Sequence, residues 1–384
     1  MGNRLNPEHD LEKLEHSLES ARQDILYPPT PDIAARTRAA IEDDTRRQRF
    51  AWGAALAGAA AMMFVVLAGV WLWREQTPTK PPAMSKAYIA NLSSGDLTVI
   101  DWRSGSVINT IPVGRNPWGL AASDDGRRVY VAIDGGVAIV NAARMQVEDN
   151  VSLPSYERAK IAVTHDERYL LVAVSRGRMA MVELSTQSVV SELTLGLSPY
   201  DIKVSSDNRF AYVLGQDDGS LAVVNLSEGR MIERLALGAI QGTFFMALTP
   251  DSRTLYVPKL GAREIWQVDT QTRQARGHLT EAKAYWSEGA ERGMAVSPDG
   301  RRLYIATQSE AASGVSVLDT QNFAEIGRAE LSGNIFGLAL TPDGSRLVVT
   351  DPIANKATIL SADTLKTIGV TPTGNWPYRV VIAQ

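Results

Sequence analysis

The sequence predicts an all-β fold, a ring of seven four-stranded sheets, and three observations carry that prediction. A unit recurs seven times between Lys86 and Gln384. Each copy holds a short apolar strand centred on Tyr88, Tyr130, Leu171, Tyr212, Tyr256, Tyr304 or Val348, at spacings of 42, 41, 41, 44, 48 and 44 residues. A period in the forties with several short strands per unit is how a β-propeller reads in sequence. Six of the seven units also open with the same polar turn. Finally, the chain ends in Tyr378-Arg379-Val380-Val381-Ile382-Ala383, which has the pattern of an innermost strand and stops where another polar turn would begin. Set beside the first unit, which has no innermost strand of its own, this segment closes the ring and removes an open sheet edge.

Each unit reads in order as strand, polar turn and three further strands. The innermost strand is short, as in Gly119-Leu120-Ala121-Ala122. The turns run Ser123-Asp124-Asp125-Gly126, Thr164-His165-Asp166-Glu167, Ser205-Ser206-Asp207-Asn208, Thr249-Pro250-Asp251-Ser252, Ser297-Pro298-Asp299-Gly300 and Thr341-Pro342-Asp343-Gly344. Proline presets φ, aspartate bonds the backbone ahead, and glycine or asparagine accepts positive φ. The second strand is apolar, as in Leu303-Tyr304-Ile305-Ala306. The third ends in pairs such as Ile100-Asp101, Val268-Asp269 or Leu318-Asp319, and the outermost follows another turn, as in Ser106 to Val113. Short β-rich runs punctuated by turns argue against helices.

These units resemble the YVTN-type β-propeller repeats of bacterial and archaeal surface proteins. The matching residues include Gly114-Arg115-Asn116-Pro117-Trp118-Gly119-Leu120-Ala121-Ala122-Ser123, Ser297-Pro298-Asp299-Gly300-Arg301-Arg302-Leu303-Tyr304-Ile305-Ala306 and Leu97-Thr98-Val99-Ile100-Asp101. The third unit departs from the pattern, with Ala159-Lys160 where an aromatic-glycine step is usual. The resemblance implies a fold rather than one reaction, because propellers serve as enzymes, ligand binders and docking platforms alike.

Before the ring, residues 51–73 (Ala51 to Trp73) carry no charge. At a rise of about 1.5 Å per residue this run reaches about 35 Å as a helix, enough to cross a bilayer. Trp52 at one end and Trp71 and Trp73 at the other suit the membrane interfaces. Arg36, Arg38, Arg46, Arg47 and Arg49 precede the run, against Arg74, Lys80 and Lys86 after it, so the positive-inside rule puts the N-terminus in the cytoplasm and the ring outside. Residues 74–85 form a Pro-rich tether, and residues 1–50 a cytoplasmic head of two predicted helices. The first has Leu11, Leu14, Leu18 and Ile25 on one face. With 8 basic and 10 acidic residues, the head is no polybasic arm for lipid or nucleic acid. The chain holds no cysteine, which removes disulfide and thiol chemistry, and its formal net charge of −4 argues against a nucleic-acid surface.

Candidate recognition residues come from aligning the units where the chain approaches each innermost strand. The aligned positions are Trp118, Ala159, Tyr200, Phe244, Arg292, Phe336 and Tyr378, and the next ones Gly119, Lys160, Asp201, Phe245, Gly293, Gly337 and Arg379. An aromatic ring with Lys160, Asp201, Arg292 and Arg379 would frame an apolar pocket with a few polar groups at the channel mouth. The competing reading has these rings packing between blades. Two long insertions, residues 281–292 and 308–314, are expected side by side on the same face, and make Tyr285 and Trp286 further recognition candidates.

Enzymatic readings find less support. The repeat region has two histidines, His165 in a turn and His278 in an outer strand, and no serine in a nucleophile elbow. No metal or other cofactor is implied. The expected function is a membrane-anchored extracytoplasmic module binding a protein, peptide or envelope ligand on the face that bears these residues. A lactonase-like hydrolase and a sensor coupled to the cytoplasmic head stand as alternatives.

Overall fold

Polar turns with a fixed internal hydrogen-bond pattern organise the chain. In the computed structural model, which describes residues 85–383 apart from 155, 157, 175–176, 217–218, 239–244, 260–263, 280–291 and 309–312, the described residues form 28 strands in seven four-stranded antiparallel sheets. The predicted head, the membrane segment Ala51 to Trp73 and almost all of the tether lie outside the described residues. Among the described residues no helix is long and apolar enough to cross a membrane.

We number the sheets as blades in chain order. Blades 2 to 7 each run from inner to outer strand, beginning with Gly119–Ala122, Lys160–Val163, Pro199–Val204, Ala247–Leu248, Met294–Val296 and Leu338–Leu340. Blade 1 takes its inner strand, Pro377–Ala383, from the far end of the chain and its other three from Lys86–Asn91, Asp96–Asp101 and Val107–Pro112. The two ends pair antiparallel, with Tyr88 opposite Val381 and Lys86 opposite Ala383. The closure expected from the sequence is therefore present, and it explains why blade 1 lacks the polar turn.

Each of the six turns is built alike. The leading hydroxyl bonds the aspartate two residues on, from 2.5 Å (Ser297, Thr341) to 2.7 Å (Ser123). The same carboxylate accepts a backbone N–H at the head of the next strand, for example that of Arg209 on Asp207 at 3.0 Å. The fourth turn residue has positive φ in all six: Gly126, Glu167, Asn208, Ser252, Gly300 and Gly344. Glu167 and Ser252 bear the strain with a Cβ.

The cores lie between neighbouring blades. One joins Tyr130 and Ala132 of blade 2 to Ile161, Leu170 and Val172 of blade 3, and the six other interfaces repeat the pattern. Burying a Val, Leu or Ile contributes about 1.5–3 kcal/mol each. The recurring tyrosine of the second strand adds a polar stitch to the next blade, as in Tyr88 to the Ala142 carbonyl at 3.4 Å and Tyr130 to Glu167 at 2.9 Å.

Candidate functional site at the channel mouth

Strand register fixes which residues of the seven blades are equivalent. Ala121, Ala162, Lys203, Ala247, Ala295, Ala339 and Val381 each pair with the central residue of the second strand, from Tyr130 round to Tyr88. Counting back two and three residues recovers the two aligned sets read from the sequence. The described members of both sets therefore stand at one end of the ring, where the chain approaches the inner strands; we call this the top face.

Glycine and side-chain-bearing positions divide the work in the inner set. At Gly119 a Cβ would stand 2.7 Å from the Ala159 carbonyl, and at Gly337 it would stand 2.8 Å from the Tyr378 carbonyl. The next blade's chain runs directly against these positions, leaving no room for a side chain. The other blades instead carry Lys160, Asp201, Phe245 and Arg379, and these fill the mouth.

Contacts between neighbouring blades run round the mouth, and those of Arg379 reach across it. Lys160 Nζ of blade 3 lies 4.9 Å from the Tyr200 ring and 5.7 Å from both the Trp118 and Tyr378 rings, a three-sided aromatic cage. Trp118 meets Tyr378 edge-on at 5.3 Å, and Phe336 is tilted against Tyr378 at 6.3 Å. Arg379 of blade 1 covers Phe245 of blade 5 at 4.0 Å, and Phe245 stacks on Tyr200 of blade 4 at 5.7 Å. Asp201 anchors the centre. Its Oδ2 accepts the Met246 N–H at 2.9 Å and lies 3.4 Å from Lys203 Nζ, while its Oδ1 stands 3.5 Å from Arg379 Nη2.

Arg292 is 1 % exposed. It donates to the Ile335 carbonyl and to Gln308 Oε1 and lies 5.0 Å from the Phe336 ring. Burial pushes its guanidinium down to about 10, with a smaller opposing influence from Tyr200, so it remains charged at neutral pH. Arg292 follows one long insertion and Gln308 lies at the start of the other, so the described flanks of the two meet here. The insertion residues Tyr285 and Trp286, and Phe244 likewise, lie outside the described residues.

The mouth thus brings together Trp118, Lys160, Tyr200, Asp201, Phe336, Tyr378 and Arg379, with Arg292 at its side. The two competing readings of the aromatic set both contribute: Tyr200 and Tyr378 are buried, whereas Trp118 and Phe336 are half-buried. Lys203 and Arg158, which lies 5.0 Å from the Trp118 ring, are not among the candidates read from the sequence, while Phe245 is aligned and Gln308 falls in an insertion without either being given a role. Phe245 had a signal, since it shares a column with Lys160, Asp201 and Arg379. Arg158 had none.

Among the described residues of the mouth, Lys160, Arg292 and Arg379 are buried cations and Asp201 is a buried carboxylate. Asp351, a buried acid in blade 7, has its own partner in Lys356 at 3.8 Å. Beneath the mouth, a cavity of about 630 Å³ runs along the inner strands, with Ile161, Ile202 and Met246 among its apolar walls and Asp201, Lys203 and Arg379 among its charged ones. Neither histidine belongs to the mouth, although His165 lines the same cavity. His165 bonds Asp124 at 2.7 Å in the turns, and His278 stacks on Phe323 at 4.2 Å. Among the described residues no group of three or more His, Cys, Asp or Glu side chains stands together that could hold a metal ion.

Comparison with known proteins agrees on the architecture. Residues 83–247 match the Choice-of-anchor I domain family, and residues 184–324 match the family described as Lactonase, 7-bladed beta-propeller. Each match spans less than half of the chain. Among solved structures, a protein from Lactobacillus plantarum is 16% identical with a TM-score of 0.65, covering 78% of this chain and 99% of that one. The hydrazine synthase of Kuenenia stuttgartiensis is 18% identical with a TM-score of 0.59, covering 68% and 88%. At such identities the likeness is one of fold. The chain is a seven-bladed β-propeller.

Proposed function

We propose that this chain is a membrane-anchored, extracytoplasmic binding module and that the top-face mouth is its recognition surface. The observation that carries the reading is the cluster of rings and buried cations drawn from blades 1 to 7 and spanning the ring at one end. Aromatic and arginine side chains gathered in one desolvated patch are where binding energy concentrates. The uncharged run Ala51 to Trp73 supports the anchor, and the partial match to a Choice-of-anchor I domain is in keeping with a tethered role. In this reading Trp118, half-buried at the rim, presents apolar surface to a partner, and Trp286 extends that surface from the insertion.

The test is in-cell crosslinking and recovery of partners by the full chain, beside a Trp118→Ala/Trp286→Ala variant matched to it in melting temperature. Loss of a specific partner in the variant is the expected result. A partner held equally by both proteins would move the interface to the blade edges, the opposite face or the head.

The partial match to the lactonase family favours a second reading, a hydrolase of lactones. Against it stands the state of Asp201, the one buried carboxylate of the cluster among the described residues, which is already engaged by Met246, Lys203 and Arg379. Turnover on a lactone panel that disappears in Asp201→Asn would establish this reading in place of the first.

A further inference from the structure

Arg379 has an unused hydrogen-bonding edge. A guanidinium grips a carboxylate or phosphate through two parallel N–H groups, and the Nε and Nη2 pair forms one such fork. In Arg379 both of these atoms are buried and neither makes a hydrogen bond; Asp201 Oδ1, at 3.5 Å from Nη2, is an ion-pair neighbour without hydrogen-bond geometry. The side chain is only 10% exposed. A buried guanidinium edge without hydrogen-bond acceptors is costly, and the one anion beside it, Asp201, is shared with Lys203. Cation–π contact with Phe245 does not replace two charge-assisted hydrogen bonds.

A second observation points the same way. Arg292, the other buried guanidinium of the mouth, likewise has its Nε buried without an acceptor. Arg379 also lines the cavity of about 630 Å³, which is within the size range of small-molecule sites. What the Arg379 edge lacks is an oxyanion in hydrogen-bonding position, and the adjacent cavity admits the body that would carry one.

We propose that the mouth binds a compact organic anion, its carboxylate or phosphate oxygens seated on the Nε and Nη2 edge of Arg379 and its apolar or ring-shaped body in the adjoining cavity against Ile202 and Met246. This deepens the binding-module reading and rests on it. Both oxyanions suit the fork, and the choice between them is an arm of the test.

The full chain in detergent is titrated calorimetrically at low ionic strength with benzoate, phenyl phosphate and neutral benzamide. Benzoate or phenyl phosphate is expected to bind saturably and at least about tenfold tighter than benzamide, and the tighter of the two names the oxyanion. In Arg379→Gln that advantage falls by about tenfold or more; in Arg379→Lys, which keeps the charge and loses the fork, it falls by a smaller factor. No advantage over benzamide for either anion, or an advantage untouched in a folded Arg379→Gln, overturns the proposal. If neither variant folds, photolabelling of the wild-type chain with 4-azidobenzoate, competed by benzoate, decides. Label on the peptides around Lys160, Tyr200 or Tyr378 supports the site, and competed label elsewhere overturns it. A partner lost on Trp118→Ala/Trp286→Ala while the titration fails leaves the module standing and removes the anion. Failure of both removes the mouth altogether.

Discussion

At Gly337 a methyl group has no place to go. An added Cβ would stand 2.8 Å from both Thr350 Oγ1 and the Tyr378 carbonyl, and the Gly337 N–H donates to the same Thr350 hydroxyl at 2.9 Å. Gly337→Ala must push the Tyr378 strand away, so it is expected to cost about 1–3 kcal/mol, the usual range for overpacking. It should also lower ligand capture at the mouth, since Tyr378 forms one wall of the Lys160 cage; thermal melts and a binding titration on the same preparation check both. Tyr130 supplies a milder case. Its hydroxyl donates to Glu167 at 2.9 Å, and burial, aided by that carboxylate, pushes the phenol well above its usual range. Tyr130→Phe keeps the ring in the interblade core and loses one charge-assisted bond, an expected loss of about 1.5–3 kcal/mol. An unchanged denaturation midpoint would show that Arg128, 3.3 Å from the same carboxylate, is sufficient for it.

The polar turn is the element that makes the fold readable. Its hydroxyl, aspartate and positive-φ residue recur at fixed places, so local chemistry announces each blade without reference to the rest of the chain. The same bonds make it an acid sensor. For Asp125, Asp166, Asp207 and Asp343, burial is the largest single influence and works upward, yet the hydroxyl and amide hydrogen bonds with nearby arginines outweigh it and hold the carboxyl below its ordinary value. For Asp251 and Asp299 the hydroxyl bond itself is the leading influence, in the same direction. A carboxyl depressed in the folded state stabilises above its unfolded pKa, about 3.9, and that stability is lost as pH falls through the folded value. The melting temperature is therefore expected to show no turn-dependent change above about pH 5 and to fall steeply below about pH 4. Asp207→Asn should melt lower at neutral pH and show a shallower acid decline, which a melting series across pH in both proteins measures. What the turns do not reveal is the mouth. Its partners, such as Lys160 with Tyr378 or Arg379 with Asp201, meet across the ring from distant parts of the sequence, so no local spacing encodes them. Alignment of the repeats found the columns; the pairings and the role of Phe245 needed the ring itself.

The ring as a whole depends on one junction that joins the two ends of the repeat region. In six blades the inner strand reaches the second through a polar turn, whereas in blade 1 these two strands meet without a covalent link. The closing strand Pro377–Ala383 has five of its seven residues buried, contributes Tyr378 and Arg379 to the mouth, and fills the inner edge of blade 1. Removing residues 377–384 would expose that edge and the cores on either side of it, a loss comparable to the whole stability of about 5–15 kcal/mol of a typical domain. The truncated chain is expected to be insoluble or to melt without a cooperative transition. Loss of the strand and loss of chain connectivity are separable, because Ala383 lies opposite Lys86 where a turn would fit. A permutant of the repeat region that joins these residues through a copy of the polar turn, with new ends between Pro372 and Pro377, restores the pattern of the other blades. It is expected to fold and to melt cooperatively, at or above the temperature of the unpermuted ring, since the closing contact becomes local and its loop-closure entropy falls. Circular dichroism melts and gel filtration of the three proteins decide. A permutant that fails to fold would mean that blade 1 requires its inner and second strands to be unlinked.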